Sequence, residues 1–410
     1  MSYRPLTQVK SSMIMAPAND LEWSRSSVVS QPELRVAVYS QKEWPRIQPV
    51  WRQLASVSPE CSFFMTEPWV DTWLHVFGAR LDVSIVLFES ADGPMAACLL
   101  VKTRQRHAFI PLLKISLNAT GEDNADTTYI EFNQLLCRSG WERAVAAALA
   151  EFLIQQQWDE FVLDGFSPGL HYDALKRAFL PFDLEEVRHP SYYVDLAALR
   201  SSGKPYQTVL STHRRKLLRQ NLRSYSELGP IRLVAAGDLE AALAMFDEMA
   251  ELNLRRWASA SRPGVFGSPY FKAFHQRLIE RCFAESSIQL LRLQAGSRTI
   301  GILYNFVHAG KVYFYQCGFD YGSDQRLSPG MITLSHAIQY CLELGLDDWD
   351  FLSGDANYKR MLSNGSRSLV WAAFRRRNVR VEMLKLARTA RRFLENVRPG
   401  RLKAPINSHD

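Results

Sequence analysis

The chain repeats itself, and the repeat limits the folds open to it. In the first half SIVLFES, the turn ADGP and MAACLLVKTR read as a β-hairpin. WERAVAAALAEFLIQQQ (141–157) then has helical periodicity, and DEFVLDGF (159–166) is a short buried strand. In the second half IQLLRLQ, the turn AGSR and TIGILYNFVHAG form another hairpin, with KVYFYQCGFD as a third strand. MITLSHAIQYCLELG (331–345) is a helix and DDWDFLSG (347–354) a strand. ADGPMAACL matches AGSRTIGIL, and DEFVLDG matches DWDFLSG, each of the latter after an amphipathic helix. Such a duplication is best met by two α/β domains of one fold, each built on a mixed sheet. The spacing between matching pieces drifts, so one copy carries an insertion.

Each hairpin is preceded by a helix. Thr66 reads as an N-cap, with Pro68 in the first turn and Trp69, Trp73 and Phe77 on one face. Ser268-Pro269 opens the counterpart over 268–283. A strand at 34–39 and a helix around Trp51 come first. Between the copies, Ser211 caps a basic helix that Gly229-Pro230 stops. Its Arg214, Arg215, Lys216, Arg219 and Arg223 suit either a solvated linker or the wall of an anion-binding cleft. The expected division is a mobile arm at 1–32, a first domain at 33–200, a second domain with the donor site at 201–378, and a basic helix and tail at 379–410. In that last segment Val379, Met383, Leu386, Ala390, Phe393 and Val397 step by four and three. They form an apolar seam that would dock on a membrane surface, a synthase complex or the chain itself.

Of 410 residues, 47% are hydrophobic and 22% charged, an ordinary globular balance with length for more than one core. The six cysteines form no Cys-x-x-Cys pair and no His stands at zinc-ligand spacing, so free thiols and no metal are expected. No signal-peptide core and no membrane-length apolar run is present; a cytoplasmic protein, peripheral at the inner membrane face, is expected. The net charge is +7, but eleven Lys and Arg against three acids fall between Trp371 and Asp410. The body is therefore near neutral, which argues against a specific nucleic-acid partner. No Gly-x-Gly-x-x-Gly follows a strand, which removes nicotinamide chemistry.

From Tyr313 to Lys359 the residues Gly318-Phe319-Asp320, Ser328-Pro329-Gly330, Asp350-Phe351, Gly354-Asp355 and Tyr358-Lys359 stand in a familiar order. The stretch resembles the GNAT-type acetyltransferases associated with bacterial cellulose and exopolysaccharide synthesis, a family related to the Fem-type peptidoglycan aminoacyltransferases. Arg256-Trp257, Phe274-His275, the basic helix and Phe63 through Trp73 match more loosely, so that the resemblance covers about residues 34 to 378. It implies tandem GNAT-like domains, an acetyl-CoA or other acyl-CoA co-substrate, and a sugar or lipid-linked envelope precursor as acceptor. It leaves open a Fem-type transferase that takes its acyl group from aminoacyl-tRNA, and a non-catalytic scaffold in a polysaccharide-synthase complex. One departure stands out: the usual donor loop, Gln/Arg-x-x-Gly-x-Gly/Ala, is reduced here to QRLSPGM.

Acyl transfer from a thioester needs a held donor, a stabilised oxyanion and a deprotonated acceptor. Gln325, Arg326, Ser328, Gly330 and Met331 are the expected donor residues, because a helix N-terminus offers free N–H groups to a pyrophosphate. Gln316 to Gly318 is the expected oxyanion segment, with Gly318 as the mark of a bulge that opens the strand. Asp350 and Asp355 are the candidate bases; Arg256, Trp257, His275, Tyr358 and Lys359 are the candidate acceptor-binding residues. The alternatives are a plain helix start at Ser328, a structural His275, and a salt bridge between Lys359 and Asp355.

Overall fold

The computed structural model describes residues 34–107, 110–259, 264–322, 326–384 and 386. The chain divides into two compact units. The first takes residues up to Asp123, Tyr129–Arg188 and the chain from Leu369; the second takes Asn124–Thr128 and His189–Ser368. The expected arm at 1–32 lies outside the described residues.

The first unit runs β1 (Arg35–Ser40), α1 (Trp44–Val57), α2 (Glu67–Phe77), β2 (Asp82–Ser90), β3 (Gly93–His107), β4 (Ile110–Leu117), β5 (Leu136–Cys137), α3 (Glu142–Ile154), β6 (Glu160–Phe166) and α4 (Leu170–Ala178). Next, β7 (Asp183–Asp195) gives its residues to Arg188 to this unit and the rest to the second. The second unit continues with α5 (Leu196–Ser201), α6 (Thr212–Ser226), β8 (Ile231–Ala235), α7 (Leu239–Ser259), α8 (Pro269–Cys282), β9 (Ile288–Ala295), β10 (Arg298–His308), β11 (Lys311–Phe319), α9 (Pro329–Glu343), β12 (Asp348–Ser353) and α10 (Asn357–Leu362). Strand β13 (Gly365–Arg375) passes to the first unit at Leu369.

The two units have one strand plan. In the first, β1, β2, β3 and β4 pair antiparallel in order, β6 pairs parallel with β4, and β13 pairs antiparallel with β6. In the second, β8, β9, β10 and β11 pair antiparallel, β12 pairs parallel with β11, and β7 pairs antiparallel with β12. The last strand of each sheet thus belongs by sequence to the other repeat. The chain passes from one compact unit to the other at 188/189 and 368/369; the divisions expected from the sequence stood at 200/201 and 378/379.

Each sheet buries one apolar cluster. Phe161 stacks on Phe179 and Phe374 in the first unit; in the second Phe314 stacks on Trp349, and Phe351 meets both edge to face. Trp51, Trp69 and Trp73 are fully buried as well. The helices start as their caps dictate at Ser211 and Ser268, whose hydroxyls accept from Arg214 and Phe271 N–H. Thr66 and Ser328 stand at N-cap positions but their side chains make no cap bond; Thr66 Oγ1 turns back to the Phe63 carbonyl. Helix α9 begins at Pro329 instead, where the missing N–H costs nothing. In the C-terminal segment Val381 and Leu384 are buried, whereas Val379, Met383 and Leu386 of the expected seam are exposed. Ala390, Phe393 and Val397 lie outside the described residues. Among the described residues no helix is long and apolar enough to cross a membrane.

Candidate active site

Strands β11 and β12 pair only over Lys311–Tyr313 and Asp348–Asp350; past that point they part. Two irregularities cause this. On β11, Tyr304 pairs with Gln316 and Asn305 with Phe314, so Tyr315 is the extra residue of a bulge. Gly318 was the residue expected to mark it, yet Gly318 pairs in register with Ile302. Its glycine serves a different need: a Cβ there would meet the Met249 carbonyl and stand 2.8 Å from Leu252 Cβ on α7. On β12 the register slips between Asp350 and Ser353, and Leu352 has φ +60°, a conformation a branched side chain seldom adopts.

That second bulge explains Asp350 and Lys359. Asp350 is fully buried, and its Oδ1 accepts from the Leu352 N–H at 2.8 Å and from Ser191 Oγ at 2.6 Å. Its Oδ2 lies 3.4 Å from Lys311 Nζ and 3.3 Å from Arg367 Nε. Asp348 pairs with Arg367 in the same cluster. Burial lowers the Lys311 pKa and raises that of Asp348, each opposed by its charged neighbours. Lys359 is buried too, and its Nζ donates to the carbonyls of Leu352 at 3.0 Å and Ser353 at 2.6 Å. Both residues therefore fasten the bulge that turns β12 away from β11. Asp350 is fully buried with both carboxylate oxygens engaged by its neighbours.

Asp355 stands beyond the strand end, exposed, and is paired with Arg360 rather than Lys359; Tyr192 OH donates to it at 2.9 Å. The Arg360 and Tyr192 hydrogen bonds hold its carboxyl below the ordinary value. Tyr358 is half-buried beside Phe351, and burial, with Cys317 and Tyr321 nearby, raises its phenol well above the usual range. Burial also pushes the Cys317 thiol up to about 11, against the pull of the Lys359 charge. Cys317 thus feels the Lys359 charge, and Tyr358 feels Cys317 and Tyr321.

The start of α9 borders this gap. Of the four N–H groups that a helix leaves without a partner, at 328 to 331, Ser328's donates to Asn221 Oδ1 at 2.6 Å and Pro329 has none. Gly330 and Met331 supply the other two N–H groups of this first turn. Gly330 lies under the ring of Phe319, where a Cβ would come within 3.2 Å of Cε2. Arg326 is exposed next to them, Gln316 is half-buried on β11, and Gln325 lies outside the described residues.

On the α7 side, the Asn253 side chain donates to the Cys317 carbonyl at 3.1 Å. Arg256 stacks on Tyr321, 4.3 Å from the ring centre, and Trp257 is half-buried. His275 takes no part. It is fully buried, 3.3 Å from Tyr304 OH through Nδ1 and packed among Phe271, Phe274 and Tyr315. Burial drives its pKa well below the usual value, so it is a neutral core residue. Sequence reasoning missed Asn253 and Asn221; neither carries a local signal, because each acts on a backbone group distant in sequence.

The first unit has the same parting of strands but fills it with its own chain. Pairing of β4 with β6 ends at Ser116 and Val162. Asn133 then donates from Nδ2 to the carbonyls of Leu117 (3.3 Å) and Asp164 (3.0 Å), and from its N–H to that of Gly165 (2.9 Å). Asn118 ties the same segment to β3 through the Leu99 N–H and the Gln134 carbonyl. Gly165, at φ +65°, is pressed so closely that a Cβ would lie 2.6 Å from the Ile130 carbonyl. Among the described residues no cluster of His, Cys, Asp and Glu could hold a metal.

Residues 212–360 match a family model described as an acetyltransferase (GNAT) domain. No curated protein matches the chain. Among solved structures, FemX has a TM-score of 0.53 at 9% identity, covering 83% of this chain and 98% of its own. A conserved protein of unknown function from Bacteroides thetaiotaomicron scores 0.49 at 9% identity, with coverages of 82% and 98%. A tandem GNAT protein from the clavulanic acid biosynthesis pathway scores 0.41 at 11%, with coverages of 83% and 98%. The likeness to FemX concerns the fold alone. With one strand plan used twice and a GNAT domain matched over most of the second use, the fold is a mixed α/β one of two GNAT-like units in tandem.

Proposed function

We propose that the second unit is an acyltransferase centre that moves an acyl group, in the simplest case acetyl, from acyl-CoA to an amine or hydroxyl. The acceptor is a sugar or lipid-linked precursor of an envelope polymer or exopolysaccharide such as cellulose. The observation that carries this reading is the parting of β11 and β12 beside the start of α9. An extended pantetheine arm can pair with the β11 edge that β12 has left, as an added strand does. The N–H groups of Gly330 and Met331, with Arg326, take the pyrophosphate.

Attack by the acceptor nitrogen or oxygen on the thioester carbonyl carbon forms a tetrahedral oxyanion. A β11 N–H in Gln316–Gly318 meets that oxygen, and a preformed donor in a water-poor site is worth far more than one in water. The C–S bond then breaks. Tyr358 is the phenol of this gap that can give the leaving thiolate its proton as the C–S bond breaks; burial favours its neutral form and makes it a weak acid. The acceptor's proton leaves toward Asp355 at the mouth. Asp350 and Lys359 hold the gap open, and Arg256 and Trp257 border the acceptor side.

A second reading is favoured by one feature. Helix α6 carries five Lys and Arg and no acid, and its exposed Lys216, Arg219 and Arg223 fall on one stripe. Such a row suits a polyanionic donor, as in aminoacyl-tRNA-dependent transfer. Calorimetry with CoA and with tRNA, followed by thiol release from acetyl-CoA over a panel of amino sugars and sugar nucleotides, separates the cases. CoA binding with thiol release supports the first reading. Binding of tRNA alone supports the second, and binding of neither leaves a scaffold.

A further inference from the structure

We infer that Arg214 receives the 3′-phosphate on the ribose of the donor, so that the centre takes free CoA thioesters in preference to acyl groups carried on a protein-bound phosphopantetheine. This rests on the acyl-CoA reading of the same centre. Helix α6 has two unlike faces. In an α-helix, residues seven apart return to within about 20° of one another and lie about 10 Å apart along the axis. Arg214 and Asn221 therefore share a face, whereas Lys216, Arg219 and Arg223 fall on the opposite one, exposed to solvent. Both ends of the shared face are tied to the walls of the gap. Asn221 Oδ1 accepts the Ser328 N–H at the start of α9, and the Arg214 guanidinium meets the Met361 thioether on α10. Met361 stands three residues after Tyr358, which packs on Phe351 where β11 and β12 have parted.

Arg214 is half-buried, open enough for a ligand to reach and dry enough for its charge to count. Among the described residues no carboxylate pairs with its guanidinium, whose partner is the Met361 thioether, a weak acceptor. Two neighbouring cations are already engaged. Arg215 donates to the Leu210 carbonyl and to Thr212 Oγ1, and Arg360 is paired with Asp355. Arg214 differs from both in having donors to give. The donor's own chemistry supplies the anion. CoA carries three phosphates, and the start of α9, beside Asn221, takes two of them as the pyrophosphate. The third hangs one ribose further on, and Arg214 waits about two helical turns along the same face of α6, a gap that one ribose and an extended arginine side chain can close. A guanidinium holds a phosphate by two parallel hydrogen bonds. A pantetheine that ends on a protein serine has neither the ribose nor this phosphate.

The probe is 3′-dephospho-CoA, identical to CoA but for this phosphate. By calorimetry the wild type should bind it about ten-fold more weakly than CoA, the loss of one charge-assisted pair. Arg214→Gln should lower CoA affinity by about the same factor and leave 3′-dephospho-CoA within about two-fold of the wild type. The melting temperature should hold, because no carboxylate loses its partner. Arg214→Lys, which keeps the charge without the fork, should recover part of the difference. Equal losses for both ligands in Arg214→Gln would mean that the residue meets the pyrophosphate or merely supports α10, and would overturn the assignment. So would a wild type that binds the two ligands alike, a result that stands even where Arg214→Gln fails to fold. A variant that keeps its CoA affinity but loses binding of glucosamine 6-phosphate would move the cation to the acceptor, and the assignment falls there too. A wild type that binds neither CoA nor 3′-dephospho-CoA overturns the acyl-CoA reading itself, whereas one that binds both equally overturns this inference alone.

Discussion

The backbone N–H of Ser328 donates to the side-chain oxygen of Asn221 at 2.6 Å. The start of α9 is thus partly satisfied from α6 before any ligand arrives, and the donor loop's departure from the usual glycine pattern has a structural counterpart. Under the proposed function, the N–H groups of Gly330 and Met331 are the two left to meet the pyrophosphate.

Asn221→Asp follows from this geometry. The carboxylate can still accept the Ser328 N–H, but it cannot donate to the Leu217 carbonyl as Asn221 Nδ2 does at 2.9 Å, so the variant should be less stable while the start of α9 is kept. Its charge would sit within a few ångströms of the proposed pyrophosphate position, and like charges at such range oppose binding. We expect CoA affinity to fall about ten-fold, an effect of about 1.4 kcal/mol, and to recover partly at high salt. Calorimetry at two ionic strengths checks it. Unchanged affinity would place the phosphates elsewhere.

Asp350→Asn should act on stability, not chemistry. The amide can still accept from Leu352, but the cluster loses a buried negative charge against Lys311 and Arg367. Breaking a buried ion pair by one partner costs on the order of 3–5 kcal/mol. Urea unfolding measures the loss. Turnover per folded molecule should survive in part, lowered by a looser β12 bulge. Abolished turnover at unchanged stability would return Asp350 to the reacting groups.

The filled gap in the first unit predicts one donor site per chain. Isothermal titration should give one CoA per chain. Gly165→Ala tests the filling segment directly. The new Cβ would press on the Ile130 carbonyl at a positive φ, which by backbone strain alone costs on the order of 1–3 kcal/mol. CoA binding to the remaining molecules should be untouched. A stoichiometry of two would show that Asn133 and its segment move aside.

Much of the architecture was legible because it is periodic. The two hairpins, the helices at 141–157, 268–283 and 331–345, and the strands after them all announce themselves by alternation, caps and turns. The exchange of last strands was not legible: β7 and β13 were not among the strands read from the sequence, and only pairing tells which strands take them as neighbours. The site was legible in composition and not in roles. Asp350, Lys359 and His275 have the residue types of chemistry, but burial and partners decide use, and those come from β7, β10, β12 and β13 at once. Asn253 shows the converse. It lies in an unremarkable helix and becomes interesting only because α7 brings it to the Cys317 carbonyl.

The last prediction concerns pH. In the first unit Glu186 accepts from Tyr172 OH at 2.6 Å and Lys176 Nζ at 3.0 Å, and pairs with Arg188 at 3.0 Å. The Tyr172 hydrogen bond first, then those from Lys176 and Arg188, pull its carboxyl down to about 2; burial, the second-largest effect, opposes them. A depressed folded-state pKa means that folding favours the ionised form. Its contribution is complete above the ordinary Glu value near 4.5 and is lost as pH falls through about 2. Glu186→Gln removes the titrating group while keeping an acceptor oxygen. The melting temperature of the wild type should therefore exceed that of the variant by a constant margin at neutral pH, and the margin should close between about pH 4.5 and pH 2. Salt should shrink the neutral margin, because the site is partly open to solvent. A margin that stays constant down to pH 2 would mean that Glu186 is bound no more tightly as an anion in the folded chain than in the unfolded one.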